Sequence, residues 1–121
     1  MTVPGTDGRT GFAAGQVVTV FRSRRRPGTE PVYGPLAEVM EAAARAVPGF
    51  VDFATFVAAD GERVSLITFD SPDAHAAWRD DPRHRAAQHQ GRSELYEEYS
   101  IQVAHCTGAT LWSRPADVPT D

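Results

Sequence analysis

Two β-prone runs, Phe50 to Val57 and Glu62 to Phe69, flank the pair Asp60-Gly61. Asp-Gly is favoured where a two-residue turn needs positive φ, so the segment reads as a β-hairpin. Such a turn sets Val57 opposite Val64, Thr55 opposite Leu66 and Phe53 opposite Thr68. Ala54 against Ile67 and Phe56 against Ser65 then share the reverse face. Both faces therefore carry apolar groups. A sheet with one wet face alternates more cleanly, so this hairpin belongs to a sheet that is covered on both sides. Helices are expected over one side and a second copy of the chain over the other.

The remaining elements arrange themselves around that hairpin. Val17-Val18-Thr19-Val20-Phe21 is β-branched and aromatic, a first strand, and Arg22 with Arg24 to Arg26 follows it as a basic patch. That patch reads either as a solvated strand end and loop or as an anion-binding lip. Gly34-Pro35 punctuates the way into a helix whose stripe is Leu36, Val39, Met40, Ala43 and Val47. Glu41 and Arg45 sit on its wet side at i, i+4 spacing, and Val47-Pro48-Gly49 stops it. Ser71-Pro72-Asp73 starts a second helix with Ala74, Ala77 and Trp78 on its buried side. Asp81-Pro82 repeats the cap-plus-Pro device and restarts the helix in a new direction. Tyr99, Ile101, Val103 and His105 alternate with Ser100, Gln102, Ala104 and Cys106 to give a last strand, which Leu111-Trp112 extends or packs beside.

Strand, helix, hairpin, broken helix, strand is the order of a ferredoxin-like βαββαβ unit of the α+β class. It predicts a four-stranded antiparallel sheet with helices on one face, paired with a second copy into a dimeric α/β barrel. Residues 1–15 read as a flexible leader, 16–112 as the domain and 113–121 as a flexible tail.

At 121 residues the chain has room for one core. A net charge of -4 argues against general affinity for nucleic acid or for an anionic membrane. The single cysteine, Cys106, forms no internal disulfide and no multi-cysteine metal site, and reads as inert. The first residues lack the layout of a signal peptide, and no apolar run is long enough to cross a bilayer. The expected setting is the cytoplasm.

Chemistry concentrates between Trp78 and Tyr99. Trp78 offers a flat apolar wall and one N–H donor, or simply anchors its helix. His84 lies in the first turn after Pro82, where the helix field disfavours imidazolium and leaves a ring able to accept a proton. An exposed capping histidine is the competing reading. His84, Ala87, Gln88 and Gly91 share a face, so Gln88 can orient His84 or a ligand, and Gly91 ends the helix or admits a close neighbour. His89, five positions after His84, points roughly 140° away and makes a poor metal partner for it. His75 reads as idle in a wet first turn. Arg92, Tyr96 and Tyr99 are candidates for a pocket rim that holds an anionic or phenolic oxygen, with packing as the alternative for a tyrosine. No metal site is expected, and no Gly-rich phosphate loop follows a strand.

V-Y-G-P-L-A-E-V-M before P-G-F, then T-F-D-S-P-D-A-H-A-A-W, then H-R-A-A-Q-H-Q-G-R-S-E-L-Y-E-E-Y and Q-V carry a family likeness. Across residues 17–106 the chain resembles the antibiotic biosynthesis monooxygenase domain family of the dimeric α/β-barrel superfamily. The resemblance implies a ferredoxin-like homodimer. In some members it also implies oxidation of phenolic polyketides by O₂ without metal or flavin. On that pattern His84 is the candidate base, with Trp78 and Tyr99 as wall and donor, and the substrate is a small aromatic molecule. A related branch degrades haem with a strand-one Asn, a Trp and an axial His. Trp78 matches that Trp, but the axial position here is Gln88, followed by His89, and strand one has no Asn. Haem binding through His84 or His89 stands as the alternative. A non-catalytic dimeric small-ligand-binding protein is the third reading.

Overall fold

The computed structural model describes residues 11–116, so the first ten residues of the expected leader and the last five of the expected tail lie outside it. The elements run β1 (Val17–Arg25), α1 (Glu30–Arg45), β2 (Phe50–Val57), β3 (Arg63–Phe69), α2 (Pro72–Arg79), α3 (Pro82–Glu94) and β4 (Tyr96–His105). The strands form one antiparallel sheet in the order β2-β3-β1-β4, the ferredoxin-like arrangement. Helices pack on one face only. Partial burial of Val18, Val20, Val64 and Leu66 marks the other face as apolar but uncovered by any helix among the described residues.

The hairpin forms with a different register from the one its turn residues predict. Ala58 N–H donates to the Glu62 carbonyl at 2.8 Å, so the loop is 59–61, one residue longer than a two-residue turn. Gly61 supplies the positive φ, at 91°, that closes such a loop. Phe53 therefore pairs with Ile67, Thr55 with Ser65 and Val57 with Arg63, while Ala54 faces Leu66 and Phe56 faces Val64. Phe53 and Ile67 are thus brought together on the helix side. There they join Phe69 and the core.

Other boundaries move for local reasons. β1 continues through the basic cluster, because alternation leaves Arg22 and Arg24 free to pair with Glu62 and Asp60 in the hairpin connection and with Glu98 on β4. Arg25 pairs with Glu30. The patch therefore carries its own counter-charges, as a solvated strand end does. α1 begins before Gly34-Pro35, with Pro31 in its first turn and Pro35 inside it. Its Glu41–Arg45 pair closes at 2.7 Å as expected. Ala43 and Ala44 are fully buried, and their small side chains let the helix approach Ile67 and Phe69 closely; Val39 points to solvent instead. In α2 the buried residues are Ala74, His75 and Trp78. Ala77 is exposed, so His75 is not the wet residue its position suggested. Leu111 and Trp112 neither extend β4 nor bury themselves.

Candidate active site

The break between α2 and α3 builds one wall of the site. Ser71 Oγ accepts from Ala74 N–H at 3.1 Å to start α2, and Asp81 Oδ1 accepts from Arg83 N–H at 2.8 Å to start α3. Each cap fixes a helix direction, and the short turn between them folds the end of α2 onto the beginning of α3. Trp78 and His84 meet there with ring centroids 4.1 Å apart, and Phe69 stacks on the other part of the indole at 5.4 Å. His84 is 5% exposed and Trp78 also 5%. Neither is a surface group.

These rings border a cavity of about 580 Å³ between the helices and the sheet. Its walls are mainly apolar, from Phe21, Leu36, Met40, Phe53, Ile67 and Leu95. Ile101 and Val103, 41% and 49% exposed, lie along its open side on β4. Of the residues singled out in the sequence, Trp78, His84, Gln88 and Tyr96 line the cavity. His89, Arg92 and Tyr99 do not. His89 is exposed, on the far side of α3 from His84. Arg92 is exposed and donates to the Tyr99 hydroxyl at 3.4 Å, outside the cavity. Tyr99 instead stacks on Phe21 at 5.4 Å, backing a wall residue rather than forming the wall. Gly91 is the point of close approach: a Cβ there would lie 2.7 Å from Tyr96 Cε2, so the missing side chain lets the Tyr96 ring press on α3.

The titration of His84 is displaced downward. Burial penalises the imidazolium most, and the nearby Arg79 carbonyl and Asp81 carboxylate oppose that effect only in part. The Arg79 carbonyl lies 3.4 Å from Nδ1. A carbonyl only accepts, so this contact places the hydrogen on Nδ1 and leaves Nε2 as the basic atom. His75, also bordering the cavity, is shifted downward by burial and then by the Arg79 charge. Tyr96 moves the other way: burial pushes its phenol up to about 12, so it stays a hydroxyl donor at neutral pH.

Sequence reasoning missed two features. Thr19 lies on the cavity-facing side of β1, is 3% exposed, and its hydroxyl has no hydrogen-bond partner among the described residues. The Trp78 indole N–H is buried and unpartnered in the same sense. Buried polar atoms are normally paired, so two orphans among the residues that line one cavity stand out. The signal for Thr19 was the strict alternation of β1, which sets Thr19, Phe21 and Ser23 on one face. The second missed feature, the Arg63 guanidinium that borders the cavity over the Tyr33 ring, depends on long-range pairing. Among the described residues no group of His, Cys, Asp and Glu side chains gathers as a metal site, and no helix is long and apolar enough to cross a membrane.

Residues 16–90 match the antibiotic biosynthesis monooxygenase family. The chain belongs to that family. Among the proteins it is similar to is YqjZ of Bacillus subtilis (strain 168), an uncharacterized protein. YqjZ is 40% identical over 72 residues, which cover 60% of this chain and 63% of YqjZ. The chain thus matches less than two thirds of that relative's length. Rv0793 from Mycobacterium tuberculosis superimposes with a TM-score of 0.66 at 21% identity, over 88% of this chain and 100% of its own. SnoaB from Streptomyces nogalater, a cofactor-independent oxygenase, does so with a TM-score of 0.62 at 20% identity, over 78% and 97%. At these identities the structural likeness is one of fold.

Proposed function

We propose that this protein is a cofactor-independent monooxygenase that oxidises a small aromatic, polyketide-type phenol with O₂ in the cytoplasm. The observation that carries this reading is a buried His84, its titration displaced toward the neutral ring, packed against Trp78 at the wall of a largely apolar cavity. A neutral imidazole with Nε2 free is a general base suited to a phenol. Burial serves the reaction twice, since it keeps the ring unprotonated and keeps water from competing. The Trp78 N–H and the Thr19 hydroxyl lie unpartnered behind the cavity surface, where a side-chain rotation would turn either toward a developing oxyanion, and Gln88 and Tyr96 add polar contacts to the bound molecule.

In this scheme Nε2 takes the phenolic proton. The phenolate then reduces O₂ by one electron, and recombination forms a carbon–oxygen bond and a peroxide. His84 returns the proton to the distal peroxide oxygen. Loss of water, with the ring hydrogen leaving as the second proton, gives the quinone. The sum is phenol plus O₂ to quinone plus water, with the substrate as sole reductant. SnoaB, a cofactor-independent oxygenase of like fold, supports the reaction class.

Haem finds less support in these residues. The cavity-facing position expected for an axial histidine is Gln88, His89 faces solvent, and His84 is held between an indole and a backbone carbonyl.

A homodimer completes the proposal, with the helix-free face of one sheet packed on that of a second copy. The apolar side chains of Val18, Val20, Leu66 and Phe56 support it, since leaving them wet forgoes about 25 cal/mol per Å². The test of function is oxygen uptake with 1,5-dihydroxynaphthalene, whose quinone product is coloured. One O₂ consumed per quinone is expected, and His84→Ala should slow turnover by about 10²- to 10⁴-fold. Unchanged turnover in that variant would remove His84 from the mechanism. A haemin titration giving a Soret band that shifts on His84 substitution would favour the haem reading instead.

A further inference from the structure

We infer that Arg63 makes this cavity selective for elongated aromatic substrates that carry an anionic group at the end remote from His84. The inference takes its chemistry from the oxygenase reading, but its evidence is a charge left unanswered.

Arg63 opens β3, is half-buried and lines the cavity. Arg22, Arg24, Arg25, Arg45, Arg79, Arg83 and Arg85 each lie within ion-pair distance of a carboxylate. Arg63 has no such partner among the described residues. Two arginines border the cavity, Arg63 and Arg79, and Arg79 is held by Asp80. The one carboxylate on the cavity lining, Glu41, is bonded to Arg45. Among the described residues, the free positive charge of the cavity is therefore that of Arg63.

Its position is fixed. The guanidinium lies 4.6 Å from the centre of the Tyr33 ring, and Nη1 reaches the Tyr33 hydroxyl at 3.5 Å. Cation–π stacking holds the flat group while leaving its edge donors for a ligand. Arg25 lies over the same ring at 4.2 Å, but Glu30 takes both of its terminal nitrogens, at 2.9 and 3.1 Å. A half-desolvated guanidinium whose Nε and Nη2 donors have no partner among the described residues matches a carboxylate with two parallel hydrogen bonds.

The geometry also sets a length. Arg63 pairs with Ser23 and Val57, whereas Trp78 packs on Phe69 at the opposite end of β3. At ~3.3 Å per residue the strand separates these ends by roughly 20 Å, which the inward reach of both side chains shortens. A fused-ring phenol with its acid across the ring system comes closer to that span than a single-ring phenol.

Calorimetric titration of 6-hydroxy-2-naphthoic acid and of its neutral amide, both at pH 7.5, tests this. The wild-type protein should bind the acid at least tenfold more tightly than the amide. Arg63→Gln should abolish that preference while holding amide affinity within twofold, which also reports that the variant is folded. Arg63→Lys should keep part of the preference, because it keeps the charge and loses the fork. A wild type that binds both ligands alike, or neither, overturns the inference, as does a preference that survives in Arg63→Gln. The outcome is separable from the oxygenase reading: acid selectivity that persists beside O₂ uptake indifferent to His84→Ala would sink the mechanism and leave Arg63 standing.

Discussion

Two buried histidines should make this fold acid-sensitive well above the range where its carboxylates titrate. His84 and His75 are both displaced below the ordinary 6.5, chiefly because burial penalises the charged ring. In the unfolded chain both regain that ordinary value. Below 6.5 the unfolded state therefore binds protons that the folded state refuses, so stability is complete above that pH and declines as pH falls toward the folded values. Each histidine contributes a slope of at most about 1.4 kcal/mol per pH unit inside its window. The more deeply placed His84 should contribute the larger share. Asp60, Asp80 and Asp81 are displaced below 3.8 by their arginine partners, so their losses begin in a lower range and do not overlap above pH 5. Urea unfolding at pH 7.5, 6.5 and 5.5 reads the slope directly. Wild type should weaken little from pH 7.5 to 6.5 and more steeply from 6.5 to 5.5, His84→Gln and His75→Gln should each flatten that fall, and the double variant should be nearly level. A double variant with the wild-type slope would refute the assignment. Turnover should follow the same protonation, rising through the folded value of His84 and level above 6.5, because the base must be neutral to accept a proton.

Phe69→Ala should cost about 3 to 5 kcal/mol, measured by urea unfolding. The ring is fully buried, and its removal leaves the Trp78 indole and the Phe50 ring, 5.4 and 6.1 Å away, facing a void. Phe56→Glu, on the helix-free face and 57% exposed, should convert a particle of two chains into one of 13.1 kDa, read by light scattering after size exclusion. A wild type that runs as a single chain would remove the proposed barrel.

Local signals carried the architecture, whereas the site depended on signals of longer range. The Ser71-Pro72 and Asp81-Pro82 devices are complete within a few residues, so the helix break was legible. The period that set His84, Ala87, Gln88 and Gly91 on one face held because α3 is regular, and the same period turned His89 away. Asp60-Gly61 located the hairpin but misjudged its loop by one residue, since Gly61 suits a longer loop closed by one positive φ as well as a two-residue turn. That residue decides whether Phe53 meets Thr68 or Ile67. His75 was misread because α2 is too short for its stripe to be distinguished from its flank. Tyr99 and Arg92 looked like rim residues from composition alone. Where they point depends on the pairing of β4 with β1, which no local pattern encodes. The role of Arg63 depends on Tyr33, brought from another element, and on carboxylates that satisfy its neighbours and leave it out.

Thr19 offers the sharpest separation of folding from function. Its hydroxyl lies in the middle of β1, opposite Ile67 and Val103, where the surrounding side chains are apolar. A buried hydroxyl without a partner costs roughly 1 to 3 kcal/mol, and valine fits the same branched strand position without it. If Thr19 were only part of the core, Thr19→Val would be a pure gain in stability. If the hydroxyl holds an oxygen of the bound aromatic, the same change should stabilise the free protein by about 1 to 2 kcal/mol while weakening ligand affinity about tenfold. Urea unfolding without ligand and calorimetric titration with 6-hydroxy-2-naphthoic acid measure the two effects on one sample. Unchanged affinity with raised stability would assign Thr19 to packing alone. A loss of stability would mean that the hydroxyl is satisfied in the folded protein and that the orphan is not real. Opposite signs in the two measurements are the expected outcome, because only a group kept for a ligand is better removed from the fold and worse removed from the site.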